Sequence, residues 1–159
     1  MRVRLSTILD VPAERAWAAA RQPRLLDHVA HPLQVFEPIE PPVMPDTWTD
    51  GRYLVRPRMF GVVPMGTQWI VISTLERGPD RYRLRDDGHG TLVSRWDHLI
   101  TIEPITAGRC RYTDEVEVRA GPLTPFVWVF AQAFYRHRQR RWRALAASGF
   151  APLATGAHA

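Results

Sequence analysis

The strongest constraint in this chain is a train of alternating segments at hairpin spacing. Residues 51–60, 67–76, 81–86, 92–103 and 109–119 alternate apolar and polar side chains, with turn-forming clusters between several of them: Arg77-Gly78-Pro79-Asp80, Asp87-Gly88-His89-Gly90 and Ile105-Thr106-Ala107-Gly108. Connections this short join neighbouring strands antiparallel, because a parallel return needs a crossover of a dozen or more residues. An antiparallel meander is predicted, and a parallel α/β sheet is excluded.

A further strand is predicted at 2–9, where Val3, Leu5, Thr7 and Leu9 share one face. Asp10 then stands where a helix cap belongs, Pro12 falls in the tolerant first turn, and Ala13–Ala20 is rich in helix formers around Trp17. Pro23 ends that helix and Arg24–Val29 can form a second short one. The proline-rich stretch from Pro32 to Pro45 can hold at most a short edge strand. Thr124-Pro125 supplies a cap and first-turn proline for a long helix to about Ala147, and the tail after Gly149 is expected to fray.

The chain has 159 residues, 45% of them hydrophobic, enough for one domain with a substantial core, placed here at 1–149 with 150–159 as its tail. The longest apolar run, Phe126 to Ala131, falls far short of the roughly 20 residues of a spanning helix. The N-terminus has no continuous apolar stretch of the signal-peptide kind, so a cytoplasmic location is expected. Cys110 is the sole cysteine, which excludes an internal disulfide and a cysteine-based zinc site. His28, His31 and His89 lack metal-ligand spacing, and Gly88-His89-Gly90 reads as a turn, so neither metal nor cofactor is expected.

The net charge is +5 and every basic residue is arginine. A basic domain with the run Arg136 to Arg143 raises the possibility of nucleic acid or an anionic membrane as partner. Spaced at 100° per residue, however, the run splits. Phe126, Val127, Phe130, Phe134, His137, Arg141 and Leu145 share one arc, and Gln132, Arg136, Gln139, Arg140 and Arg143 lie opposite. The second arc reads as a solvated face, which disfavours nucleic acid. Arg141, one turn from His137 on the apolar arc, must snorkel, pair with a carboxylate or reach a polar pocket end, and a structural ion pair is expected. Trp128, Tyr135 and Trp142 recur on a flank expected to be polar, covered by arginine stems or marking a homodimer or membrane contact.

The sharpest chemical signal comes from strand alternation. Trp96, His98, Ile100 and Ile102 share the inward face of 92–103, and Cys110, Tyr112, Asp114, Val116 and Val118 that of 109–119. Pairing Ile102 with Cys110 would set His98 directly opposite Asp114, within hydrogen-bonding reach. A buried carboxylate needs such a partner. The pair can be a structural couple fixing register, a ligand-orienting pair in a pocket, or a general acid/base dyad in which Asp114 orients the imidazole. Tyr53, Val55 and Met59 form the inward face of the strand from 51. Trp69 and Val71 form that of the next, with a one-residue slip as the alternative that would exchange Trp69 for Gln68 and Ile70.

The order strand, two short helices, antiparallel strands and long C-terminal helix resembles the START-like helix-grip superfamily, also called SRPBCC, over residues 1–147. The marks are Ile8-Leu9-Asp10-Val11-Pro12-Ala13-Glu14-Arg15-Ala16-Trp17, Trp96-Asp97-His98, Tyr112-Thr113-Asp114-Glu115-Val116 and Tyr135-Arg136-His137-Arg138. The last two look like the polyketide cyclase-like ligand-binding subgroup, and Ile100 stands where a second histidine often follows the Trp-x-His of similar proteins. The resemblance implies an α+β fold in which a curved antiparallel sheet of about six to seven strands wraps the long helix around a ligand cavity. It carries His98 and Asp114 to inward positions of the late strands.

The leading expectation is binding of a small hydrophobic or amphipathic molecule, lipid-like or aromatic polyketide-like. Tyr53, Val55, Trp69, Trp96 and Tyr112 would wall the cavity from the sheet and Phe126, Phe130 and Phe134 from the helix, with His98 and Asp114 orienting the ligand's polar group. The alternatives are a cyclase or dehydratase using His98 and Asp114 as an acid/base pair, and a basic adaptor acting through Arg136, Arg140 and Arg143.

Overall fold

The structure is a computed structural model and describes residues 1–154. Strand β1 (Arg2–Leu9) leads into helices α1 (Ala13–Ala20) and α2 (Pro23–Ala30). Strands β2 (Gln34–Glu40), β3 (Gly51–Met59), β4 (Val63–Pro64), β5 (Gln68–Arg77), β6 (Tyr82–Gly90), β7 (Arg95–Thr106) and β8 (Arg109–Arg119) follow, then the 24-residue helix α3 (Thr124–Ala147) and a last turn, α4 (Ala151–Ala154). The eight strands form one antiparallel sheet in the order β1-β8-β7-β6-β5-β3-β2, with β4 paired to β3. The curved sheet holds the long helix, the helix-grip arrangement.

The proline-rich segment does form a strand, at the sheet edge, with its register broken between Pro38 and Glu40. Proline's missing N–H is tolerated there. Asp87-Gly88-His89-Gly90, expected as a turn, instead continues β6, and the reversal falls at 91–94. The glycines serve close packing rather than a turn: a β-carbon at Gly88 would sit 3.0 Å from the Trp96 carbonyl oxygen, and one at Gly90 would collide with that of Thr67. Asp10 does not cap α1. It pairs with Arg109, and Pro12 precedes the helix without a side-chain cap.

The β7–β8 register differs from expectation by two residues: Ile102 faces Tyr112, Ile100 faces Asp114 and His98 faces Val116. The connection turns at Ala107-Gly108, tighter than the four-residue turn assumed, with a bulge between Pro104 and Thr106. An even shift preserves the face of every side chain, so His98 and Asp114 still point inward, as diagonal neighbours.

Helix α3 lies over β1 and β8 and against α2. Its buried face comprises Ala131, Phe134, Tyr135, Arg138, Gln139, Trp142, Leu145 and Ala146. That face is rotated by about a quarter turn from the apolar arc read from the sequence, at 100° per residue. Tyr135 and Trp142, expected on an outward flank, are interior: Trp142 packs on Tyr112 and Phe150, and Tyr135 on Trp96 and His98. Trp128 donates its indole N–H to the Arg2 carbonyl at 2.8 Å. These three residues therefore form no shared outward surface for a second copy. Among the described residues neither Arg141 nor His137 forms an ion pair. They bond the carbonyls of His28 (2.7 Å) and His31 (2.9 Å) at the end of α2, supplying donors to acceptors that a helix terminus leaves bare.

The segment after Gly149 is not wholly a frayed tail. Phe150 and Leu153 are buried in the core, and Arg15 bonds the Gly149 carbonyl at 2.7 Å. Residues 155–159 of the expected tail lie outside the described residues.

Candidate functional site

Because α3 covers only the β1–β8 side, its other flank stands away from β3, β5 and β6. The gap is a cavity of about 290 Å³ between the sheet, α2, β2 and the first half of α3. Phe126, Val127, Phe130 and Phe134 line it from the helix, which explains the mistaken arc: the first three lie off the buried face and border the cavity, and only Phe134 belongs to both. Phe36, Pro57, Met59 and Ile70 line the sheet side. At the open end Leu92, Leu123 and Phe126 are exposed to solvent. Its inner end is polar, made by Asp86, His98 and Arg138, with Trp96 and Tyr135 beside them.

Behind that end lies a buried cluster centred on Asp114. Its Oδ1 accepts hydrogen bonds from His98 Nε2 at 2.8 Å and the Tyr112 hydroxyl at 2.7 Å, and lies 3.4 Å from Arg138 Nε. Its Oδ2 accepts from Gln139 Nε2 at 3.1 Å, and the same amide donates to the Leu5 carbonyl at 2.8 Å. Arg138 also donates to the Tyr112 hydroxyl from Nε and Nη2, at 3.3 and 3.1 Å. Four residues from two strands and one helix thus satisfy one carboxylate, as a buried charge requires.

The electrostatics follow from this geometry. Burial opposes the Asp114 charge, but His98, Arg138 and Tyr112 outweigh it and hold the carboxyl below its ordinary range. Burial lowers the His98 pKa despite the Asp114 hydrogen bond, which pulls the other way. The imidazole is therefore neutral at pH 7. A carboxylate only accepts, so Nε2 carries the proton and Nδ1 the lone pair. Burial pushes the Tyr112 and Tyr135 hydroxyls up, so both remain protonated. Burial also pushes Asp86 up, to about 8, with Asp87 and Asp97 adding to the rise and the Val71 N–H and Arg138 opposing it.

Of the residues expected from the sequence, Trp96, His98, Phe126, Phe130 and Phe134 line this cavity. Tyr112 and Asp114 stand one layer behind it, fully buried. Tyr53 and Val55 do not line it. They share a strand face with Pro57 and Met59 but belong to the filled part of the core, where Tyr53 packs edge-on against Trp48 and bonds Thr49. Trp69 is on the opposite face, under the Arg52 guanidinium at 4.5 Å, because the strand follows the slipped alternative: Ile70 and Ile72 are buried, and Gln68 lines the cavity.

Sequence reasoning missed Asp86, Arg138 and Gln139. Asp86 was legible in principle, since it continues the inward face of Tyr82 and Leu84. Arg138 lies one heptad from both Ala131 and Leu145, yet an arginine is assigned to solvent unless its carboxylate partner is known. Of the basic run, Arg138 and Gln139 are buried, while Arg136, Arg140 and Arg143 are exposed together on one face of the helix. Among the described residues no group of three or more His, Cys, Asp or Glu side chains is placed to hold a metal ion, and no helix is long and apolar enough to cross a membrane.

A curved antiparallel sheet gripping a long helix, with a cavity between them, defines a helix-grip protein. Solved structures share the arrangement. A conserved protein from Geobacillus kaustophilus aligns with TM-score 0.63 at 15% identity, covering 93% of this chain and 96% of its own. The Zhui aromatase/cyclase from Streptomyces sp. R1128 aligns with TM-score 0.63 at 12% identity, covering 92% and 93%. Norcoclaurine synthase from Thalictrum flavum, solved with dopamine and hydroxybenzaldehyde, gives 0.63 at 10% identity, covering 93% and 87%. Likeness at these identities establishes the fold alone. No curated protein matches the chain significantly by sequence. The chain belongs to the family described as Domain of unknown function (DUF8410), whose profile matches residues 7–146.

Proposed function

We propose that this protein binds a small, largely apolar molecule, lipid-like or aromatic polyketide-like, whose polar end meets Asp86, His98 and Arg138. The observation that carries this reading is the cavity itself. About 290 Å³ of space with largely apolar walls and a few polar groups, Asp86, His98 and Arg138 among them, has the make-up of a small-molecule site. The Asp114 cluster holds His98 in one orientation, so the ligand meets a pre-formed imidazole. The test is solvent extraction of the purified protein followed by mass spectrometry, against a mock purification, with wild type and His98→Ala in parallel. A co-purifying apolar compound in wild type, reduced in a folded His98→Ala variant, supports the reading. Binding undiminished by His98→Ala removes His98 from the site, and the absence of any compound from wild type counts against a tightly held ligand.

A second reading is favoured by the tautomer that Asp114 imposes. A neutral imidazole with its lone pair on Nδ1 can remove a proton next to a carbonyl, the step that cyclisation or dehydration of a polyketide-like substrate requires. The aromatase/cyclase among the structures of similar fold keeps this reading in view. A pH–rate profile with no ionisation removed by His98→Ala would refute it.

A further inference from the structure

We propose that Asp86 is the specificity-determining residue of the cavity, presenting a carboxylic O–H to a neutral carbonyl oxygen at the ligand's polar end. This rests on the binding reading above and names the chemical class of the group bound.

Three geometric facts carry it. First, Asp86 lies directly across the β6–β7 ladder from His98, and both side chains reach the same polar end of the cavity. Second, Oδ1 of Asp86 already accepts the Val71 N–H at 2.8 Å, leaving the second oxygen for the cavity side. Third, among the described residues Asp86 forms no ion pair, because Arg138, the guanidinium at that end, is committed to Asp114 and Tyr112. Asp86 is half-buried, and a carboxyl largely withdrawn from water with no cation paired to it favours its neutral form. The groups acting on it are Arg138 from α3, His98 and Asp97 from β7 and Asp87 from β6; burial and the two neighbouring carboxylates favour the acid, and Arg138 opposes it.

The polar end therefore contains a balanced Arg138–Asp114 pair, a neutral imidazole and a neutral acid. A ligand carboxylate would bring an uncompensated charge into this space, and an ammonium would have to ionise Asp86 first. A ketone or similar carbonyl accepts the Asp86 O–H and leaves the His98 Nδ1 lone pair unengaged beside it.

The experiment compares three probes of one shape by calorimetry: 2-acetylnaphthalene, 2-ethylnaphthalene, which lacks the oxygen, and the ammonium 1-(2-naphthyl)ethylamine. Wild type at pH 6.5 is expected to prefer the ketone over the hydrocarbon by about tenfold, the worth of one good buried hydrogen bond, and to lose that preference by pH 9.5. Asp86→Leu is expected to bind ketone and hydrocarbon alike. Asp86→Asn, whose amide can accept from Val71 and donate to the ligand, is expected to recover most of the preference and keep it at pH 9.5. A ketone preference that survives in folded Asp86→Leu, a wild-type preference unchanged between pH 6.5 and 9.5, or a preference for the ammonium at pH 6.5, overturns the inference. Hydrocarbon binding reports the cavity separately. Wild type that binds all three equally overturns the role of Asp86 and leaves the binding reading standing, whereas wild type that binds none overturns both.

Discussion

Asp114 and Arg138 meet in the interior with 3.4 Å between Oδ1 and Nε, each almost wholly shielded from solvent. Neither stands alone, since Tyr112 bonds both and His98 and Gln139 complete the carboxylate. The cluster joins β7 and β8 to α3 and is the rigid backing of the cavity's polar end.

Removing one partner should therefore be costly. Arg138→Met is expected to destabilise the fold by about 3–5 kcal/mol, the usual cost of leaving a buried charge uncompensated. Combining it with Asp114→Leu, which removes the stranded charge, should cost less than the two single changes added together. Urea unfolding of the four proteins measures this, and strict additivity would show that the pair is not coupled.

The pH dependence of stability has two limbs. His98 and Asp114 have folded pKa values below their ordinary ones, so the stability they contribute is present above those ordinary values and lost as pH falls through the folded ones. Asp86 works in the opposite sense. Its pKa rises from 3.8 to about 8 on folding, so its contribution is full below 3.8 and lost as pH climbs through about 8. Asp86→Asn, which cannot ionise, should be more stable than wild type at pH 8, by on the order of 2 kcal/mol or more, with the gap closing toward pH 4. Unfolding midpoints from pH 4 to 9 give the comparison. A gap independent of pH would mean that Asp86 does not titrate on unfolding in this range.

The C-terminal turn should matter to the whole domain. Phe150 packs edge-on against Trp142 with ring centroids 6.2 Å apart, and the Arg15 guanidinium lies 5.4 Å from the Phe150 ring. Truncation after Gly149 is expected to cost about 3 kcal/mol, in the range for loss of a large core side chain. Thermal melts of the truncated and full chains decide it, and an unchanged midpoint would return the segment to the status of a tail.

Much of the site was readable because parity is local. A side chain's face in a strand follows from a two-residue period, so His98 and Asp114 could be placed inward without knowing the register, and a register wrong by two left that conclusion intact. The same rule would have reached Asp86. It failed at Trp69, where Ile70, Ile72 and Gln68 took the inward face and the tryptophan became the platform for Arg52. Hydrophobicity on the long helix misled for a different reason: phenylalanines that line a cavity look, in sequence, like phenylalanines that fill a core.

By itself, then, the sequence determined the order of elements, the antiparallel connections, the edge position of the proline-rich strand and the inward direction of the late-strand polar residues. All of these are properties of short stretches of chain, set by turn length, side-chain period and backbone restriction. Tertiary structure decided the rotation of α3, the two-residue register shift, the burial of Arg138 and Gln139, and the space left between helix and sheet. An arginine is stable in the interior only when a carboxylate 24 residues away in sequence reaches it. A cavity persists only where elements distant along the chain are held apart by the packing of their neighbours.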